Sequence, residues 1–280
     1  MHWQEFKIDW QNKLASIYSP SEAKKLIQIL AEERLNLSKA ALLSPQVLIK
    51  EEDLIRLEKD LERLLAHEPL QYILGKAWFF NLELEVNNSV LIPRPETEEL
   101  VAWILEDKAK FNSLLDIGTG SGCIPISIAV NTKETQISAL DVSFDALEIA
   151  QKNAEKYQEK VAFIQADILD ENTWTKLGNF DVIVSNPPYI PVKEKAKMHP
   201  NVLDYEPHLA LFVQNSEALI FYEKIASFAL KHLHKNGILY LECNEFNALD
   251  LQELIKKIGF SKIELKQDLQ GKNRMLKASL

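Results

Sequence analysis

Ser113-Leu114-Leu115-Asp116-Ile117-Gly118-Thr119-Gly120-Ser121-Gly122 is a short apolar run that breaks into alternating glycines. Ser113 to Ile117 reads as a buried strand and Gly118 to Gly122 as a turn where backbone can approach a ligand closely. Cys123 to Val130 reads as a helix entered near Pro125. Strand, tight turn and helix in that order open a parallel α/β sheet. The turn lacks the spacing of the dinucleotide fingerprint, and no Lys-Ser or Lys-Thr follows it. A nicotinamide dehydrogenase and a phosphate-gripping P-loop both fit poorly.

Outward from this stretch the alternation continues. Gln136 to Leu140 forms a second strand that ends in Asp141, about 20 residues past the turn, where a carboxylate can hold ribose hydroxyls. A third strand, Val161 to Ile164, ends near Asp167. That carboxylate can accept a hydrogen bond from an adenine amino group, or it is a helix cap or solvated loop acid; both readings stand. Phe180 to Ser185 is a fourth strand and Gly237 to Glu242 a fifth. Asn244 to Ile258 reads as a helix, and Ser261 to Leu265 with Arg274 to Ser279 as a closing hairpin around Gln270-Gly271-Lys272-Asn273.

The fourth strand runs into Asn186-Pro187-Pro188-Tyr189. Each proline fixes φ near −65° and removes a backbone donor, and Pro187 holds Asn186 extended, so the loop cannot satisfy its own carbonyls locally. The Asn186 side-chain oxygen and a backbone carbonyl in the Pro-Pro stretch are then two fixed acceptors, able to hold the two hydrogens of a planar NH2 group. Tyr189 offers an aromatic face for the same group. Such a grip suits an amide or exocyclic amine, whose nitrogen is a poor nucleophile because its lone pair is delocalised. A rigid turn after a strand is the plainer reading. Position favours the first, because ligands of an open parallel sheet bind beyond the carboxyl ends of its strands, where this loop and the glycine turn both fall.

Several segments together resemble the release-factor glutamine methyltransferase family. They are Glu68-Pro69-Leu70-Gln71-Tyr72-Ile73-Leu74-Gly75, Leu91-Ile92-Pro93-Arg94-Pro95-Glu96-Thr97-Glu98, the glycine turn, Asn186-Pro187-Pro188-Tyr189-Ile190, and Tyr205-Glu206-Pro207 before Ala210-Leu211. The resemblance covers almost the whole chain. It implies a class I seven-stranded, Rossmann-like α/β domain at 96–280, preceded by a helical substrate-recognition domain at 1–75 and a connecting β-hairpin at 76–95. The implied reaction is N5-methylation of the glutamine in the Gly-Gly-Gln motif of class-one peptide release factors, which would be the partners, with S-adenosyl-L-methionine as donor. Gly118, Thr119, Gly120, Ser121, Gly122, Asp141, Asp167 and Asn186 are the implied donor-binding residues. Asn186, Pro187, Pro188 and Tyr189 are the implied catalytic ones. The Asn-Pro-Pro-Tyr motif is shared with enzymes that methylate amino groups of nucleic-acid bases, so the alternatives are such an enzyme or a non-catalytic donor-binding module. Two departures from the family pattern are Ile168, where members often carry an aromatic, and Phe212-Val213-Gln214-Asn215-Ser216, where many are richer in glycine.

Bulk properties bound the reading. With 280 residues, 46% of them hydrophobic, the chain can build one large core and a small one. Its net charge of −9 opposes nucleic-acid binding, where phosphate contacts supply most of the affinity. Only Cys123 and Cys243 are present, without metal-ligand spacing, which suits a reducing, cytoplasmic setting. No apolar stretch has the length and composition of a membrane span. Before residue 75 the pattern is helical: Ser19-Pro20-Ser21-Glu22 is a capping box, and Leu54, Leu57, Leu61, Leu64 and Leu65 form one stripe. Trp78 to Val86 and Ser89 to Ile92 read as a hairpin turning at Asn87-Asn88, followed by a helix from Glu96 to Asp107. Arg94 and Glu96 to Glu98 read as a Pro-bounded helix start with Arg94 pairing with one of its acids, or, as the resemblance implies, as a segment that lies along the donor pocket and orders it.

Overall fold

The computed structural model describes residues 1–107, 111–214 and 218–280; Asn215 and Ser216, part of the glycine-poor departure, lie outside them. The chain forms two compact units, Met1–Gly75 with Pro200–Tyr205, and Lys76–His199 with Glu206–Leu280.

The first unit is helical: α1 (Trp3–Leu14), α2 (Pro20–Leu35), α3 (Glu51–Leu65), α4 (Leu70–Leu74) and, from far along the chain, α9 (Pro200–Leu203). Ser19 caps α2 by accepting from the Glu22 N–H. The leucine stripe of α3 buries Leu57, Leu61 and Leu64 against Trp3, Phe6, Trp10, Ile27 and Leu30. Arg34 Nε donates to buried Asp60 at 2.6 Å and its Nη2 to the Ile73 carbonyl, tying α2 to α3 and α4. Gly75, at φ 74°, ends α4 in the left-handed conformation that glycine adopts without steric penalty. Tyr205 closes the insert by donating its hydroxyl to the Ala66 carbonyl at 2.6 Å.

The second unit begins with an antiparallel hairpin, β1 (Lys76–Phe79) and β2 (Leu82–Glu85), which turns at Phe80-Asn81 and not at Asn87-Asn88. Both turn residues have positive φ, 47° and 63°, the two-residue geometry that matches strand twist. Asn87 folds locally instead, its side chain accepting from Ser89 N–H and its carbonyl from Val90 N–H. Phe79, Leu82 and Leu84 belong to the second unit's core, so the hairpin is a part of that unit.

The strands that follow are β3 (Ser113–Ile117), β4 (Gln136–Asp141), β5 (Val161–Gln165), β6 (Phe180–Ser185), the short β7 (Ile190–Pro191) and β8 (Phe212–Val213), β9 (Leu233–Glu242), β10 (Lys262–Gln267) and β11 (Asn273–Ser279). Seven make one sheet in the order β10-β11-β9-β6-β3-β4-β5. The five from β9 to β5 are parallel, and β11 runs antiparallel between β10 and β9. Alternate side chains enter opposite cores, as strand geometry requires. Leu114, Val182, Val184, Tyr240 and Met275 pack with the hairpin, α5 (Pro95–Glu106), α6 (Cys123–Asn131) and α7 (Phe144–Lys156). Leu115, Ile183, Leu239, Leu241 and Leu276 pack with α8 (Glu171–Trp174), α11 (Ile220–His232) and α12 (Ala248–Ile258). One further turn of helix, α10 (His208–Leu211), precedes β8. The chain winds outward from β3 to β5 and then returns to β6 on the other side of β3, which leaves a crevice beyond the carboxyl ends at the point of reversal.

Candidate active site

That crevice holds a cleft open to solvent on one side, walled by the ends of β3, β4 and β6 and by the loops that follow them. Among the expected site residues, Gly118, Gly120, Asp141, Asp167, Asn186, Pro187 and Pro188 line it. Thr119, Ser121, Gly122 and Tyr189 do not.

The glycine turn is pinned from below. Gly118 and Thr119 both donate to the Leu140 carbonyl, and Gly120 N–H donates to Asp141 Oδ2 at 2.9 Å. Gly118 and Gly120 have positive φ and nothing within 4 Å of where a Cβ would stand, so their backbone faces open space. Gly122 serves packing: a Cβ there would lie 2.8 Å from Ile126 Cδ1 and 3.1 Å from Ala150 Cβ, which holds α6 close to α7. Asn153 on α7, fully buried, donates to the Ser121 carbonyl and also pairs with both backbone groups of Glu85. Thr119 and Ser121 are buried beneath the turn.

Asp141 accepts from Gly120 on one oxygen and from Ser143 on the other, leaving a lone pair on each for a ligand. Burial pushes its carboxyl up, with the Ser143, Gly120 and Val142 amides pulling back. Asp167 caps its own loop, Oδ1 accepting from Leu169 N–H at 2.9 Å, and it also lines the cleft. Ile168 lines the cleft and also belongs to the core, its carbonyl fixed by Trp174 Nε1 at 3.0 Å.

Ser185 Oγ donates to the Ile117 carbonyl at 2.7 Å, which joins the root of the glycine turn to that of the Asn-Pro-Pro-Tyr loop. Among the described residues no hydrogen bond reaches the carbonyls of Pro187 or Pro188, so both remain open acceptors. Asn186 Nδ2 donates to Thr97 Oγ1 at 3.1 Å. Tyr189 packs half-buried on the core, and burial holds its phenol well above its usual range.

Arg94 pairs with Glu206 and with no acid of its own helix: the distance is 2.5 Å, and the second Glu206 oxygen accepts from Ile92 N–H. Arg94 itself does not line the cleft, but Ser89, Val90 and Leu91 just before it do. Glu206, 4% exposed, thereby clamps the segment that forms one wall. Glu206, Glu242 and Asp116 carry no functional signal in local pattern that assigns them to the site. Asp116 does stand out, since an acid inside an otherwise apolar strand calls for a partner.

Two stretches match family models: residues 8–75 match the PrmC N-terminal domain and residues 96–204 the methyltransferase small domain. A Flavobacterium psychrophilum protein named release factor glutamine methyltransferase is 43% identical over 99% of this chain and 98% of its own length. The chain belongs to the release factor glutamine methyltransferase family. A Bacteroides thetaiotaomicron protein of the same name is 37% identical over 96% of this chain and 97% of its own. Among solved structures, a methyltransferase from Pyrococcus furiosus shares the fold at TM-score 0.52 and 20% identity, over 79% of this chain and 98% of that one. The unit that carries the cleft is built on a seven-stranded mixed α/β sheet, and the enzyme is a methyltransferase. No helix among the described residues is long and apolar enough to cross a membrane.

Proposed function

We propose that this chain transfers a methyl group from S-adenosylmethionine to the side-chain nitrogen of the glutamine in the Gly-Gly-Gln loop of class-one peptide release factors. The observation that carries the reading is the meeting of Gly118, Gly120, Asp141, Asp167 and Asn186-Pro187-Pro188 on one cleft in a chain of this family. The residues present suit that donor. Asp141 keeps free lone pairs for ribose hydroxyls, Val142, Ala146, Ile168 and Leu169 offer an apolar wall to a purine, and the open backbone at Gly118 and Gly120 leaves room beside it.

S-adenosylmethionine supplies a methyl group already activated on a sulfonium. What the chain must add is alignment. Asn186 Oδ1 and the Pro187 carbonyl each accept one N–H of the glutamine amide and aim its nitrogen; a strong base is unnecessary, because the nitrogen becomes acidic as it takes the methyl group. Alignment of this kind is worth up to ~7–11 kcal/mol in favourable intramolecular cases. The helical unit Met1–Gly75 is the part that recognises the release factor's body, and the cytoplasm is the setting.

Asn186→Ala is expected to keep donor affinity and lose transfer. Mass spectrometry of a purified release factor after incubation with enzyme and donor checks this, with ribosomal RNA as a parallel substrate. One added methyl on glutamine is the expected product. Methyl incorporation into RNA alone, or equal activity of variant and parent, would refute the assignment.

A further inference from the structure

A carboxamide has an accepting end and a donating end, and only one orientation of Asn186 serves the proposed reaction. The substrate nitrogen is itself a donor, so it needs the Asn186 oxygen. Thr97 and Glu242 decide which end it meets. Asn186 Nδ2 donates to Thr97 Oγ1 at 3.1 Å, and Thr97 Oγ1 donates to Glu242 Oε2 at 2.6 Å. A threonine hydroxyl has a single hydrogen. With that hydrogen committed to the carboxylate, Thr97 can only accept from Asn186, which leaves Oδ1 as the end available to the cleft. Thr97 is 2% exposed and Glu242 1%, so bulk solvent does not compete for either contact.

We infer that Thr97 and Glu242 are positioning residues of the methyl transfer, which lock the flip of the Asn186 carboxamide so that its oxygen meets the glutamine NH2. The inference rests on the reaction proposed above. The lock has a direction that depends on an ionised Glu242. A protonated Glu242 can donate to Thr97 Oγ1, freeing the threonine hydrogen for Asn186 Oδ1, and the reversed carboxamide is then equally well satisfied.

Burial pushes the Glu242 carboxyl up to about 7, while the Thr97 hydroxyl and Arg274 pull it back. The groups facing it are Arg94 and Glu96 around the start of α5, Arg274 on β11, Tyr189 after β6, Tyr222 on α11, and Cys123 and Cys243. Desolvation raises both tyrosines well above their usual range and both thiols to about 12, so these four stay neutral where Glu242 titrates.

The test is steady-state kinetics of the full chain with S-adenosylmethionine and a purified release factor, beside donor affinity by calorimetry. Thr97→Val keeps the shape and removes the hydroxyl. Its kcat is expected to fall about tenfold, the scale of one hydrogen bond, with both KM values and donor affinity within about twofold of the parent. Thr97→Ser restores kcat. For Glu242→Gln, the ratio of parent to variant kcat is expected to rise as the pH climbs through about 7 and then level off. Asp116 also titrates near there but is unchanged in both proteins, so the ratio isolates Glu242. Parental kcat in folded Thr97→Val, or a ratio that does not move with pH, would overturn the lock. A parent protein that leaves glutamine unmethylated fails the proposed reaction instead, a result visible before any variant is made.

Discussion

Asp116, near the end of β3, is fully buried, and neither of its oxygens forms a hydrogen bond among the described residues. The Thr119 hydroxyl lies near enough to pull its carboxyl down without bonding to it, yet burial wins and pushes it up to about 7, with the Asp141 charge adding to the rise. An acid raised above its ordinary 3.8 binds protons more tightly in the folded chain than in the unfolded one. The contribution of Asp116 to stability is therefore greatest below about 4, declines as the pH rises to about 7, and stays low above it, a loss on the order of a few kcal/mol. Asp116→Asn removes this share of the slope and leaves that of Glu242. Urea unfolding of parent and variant across that range should show the parent losing ground steadily as the pH rises; parallel curves would mean that Asp116 is not desolvated in solution.

Among the elements, the hairpin and the glycine turn are one mechanical piece. Asn153 on α7 makes three bonds: its oxygen takes Glu85 N–H at 2.6 Å, and its nitrogen donates to the carbonyls of Glu85 and Ser121. Asn153→Ala strands those buried backbone groups, and a loss on the order of 2–5 kcal/mol follows, with weaker donor binding because Ser121 belongs to the turn. Denaturant melts and calorimetric titration check both halves; intact stability would show the turn to be held by α6 alone. The hairpin also shows what the chain conceals at this scale. Asn87-Asn88 attracts a turn assignment, and Asn87 does turn the chain, but only locally, through its side chain and its carbonyl. The true reversal uses Phe80-Asn81, and an aromatic at φ 47° is tolerated because Glu98 Oε1 accepts the Phe80 N–H from α5. That contact spans 18 residues and leaves no trace in local propensity.

For the whole molecule, alternating strands and helices are legible because each buried strand is a short apolar run bounded by turn residues. The cleft is legible because its loops lie at the carboxyl ends of β3, β4, β5 and β6. What stayed hidden are contacts between distant positions: Thr97 with Glu242 across 145 residues, and Arg94 with Glu206 across 112. Buried polar pairs of this sort carry no periodicity and surface only when the fold joins them. A ligand-level prediction belongs here too. S-adenosylmethionine at about a hundred times its Kd should stabilise the unit that holds the cleft by about 2.7 kcal/mol, read as a higher thermal midpoint. An unmoved midpoint at saturating concentrations would mean that the donor binds elsewhere or not at all.

The six residues Pro200–Tyr205 have a consequence for synthesis. Because they complete the helical unit, and Tyr205 supplies the hydroxyl that meets the Ala66 carbonyl, a nascent chain that has emerged only to residue 75 still lacks a piece of its first folding unit. The apolar core of the amino-terminal helices is nevertheless complete by Leu74, so only this outer cover arrives after more than a hundred residues of the other unit, and a fragment cut at Gly75 lacks the cover and keeps the core.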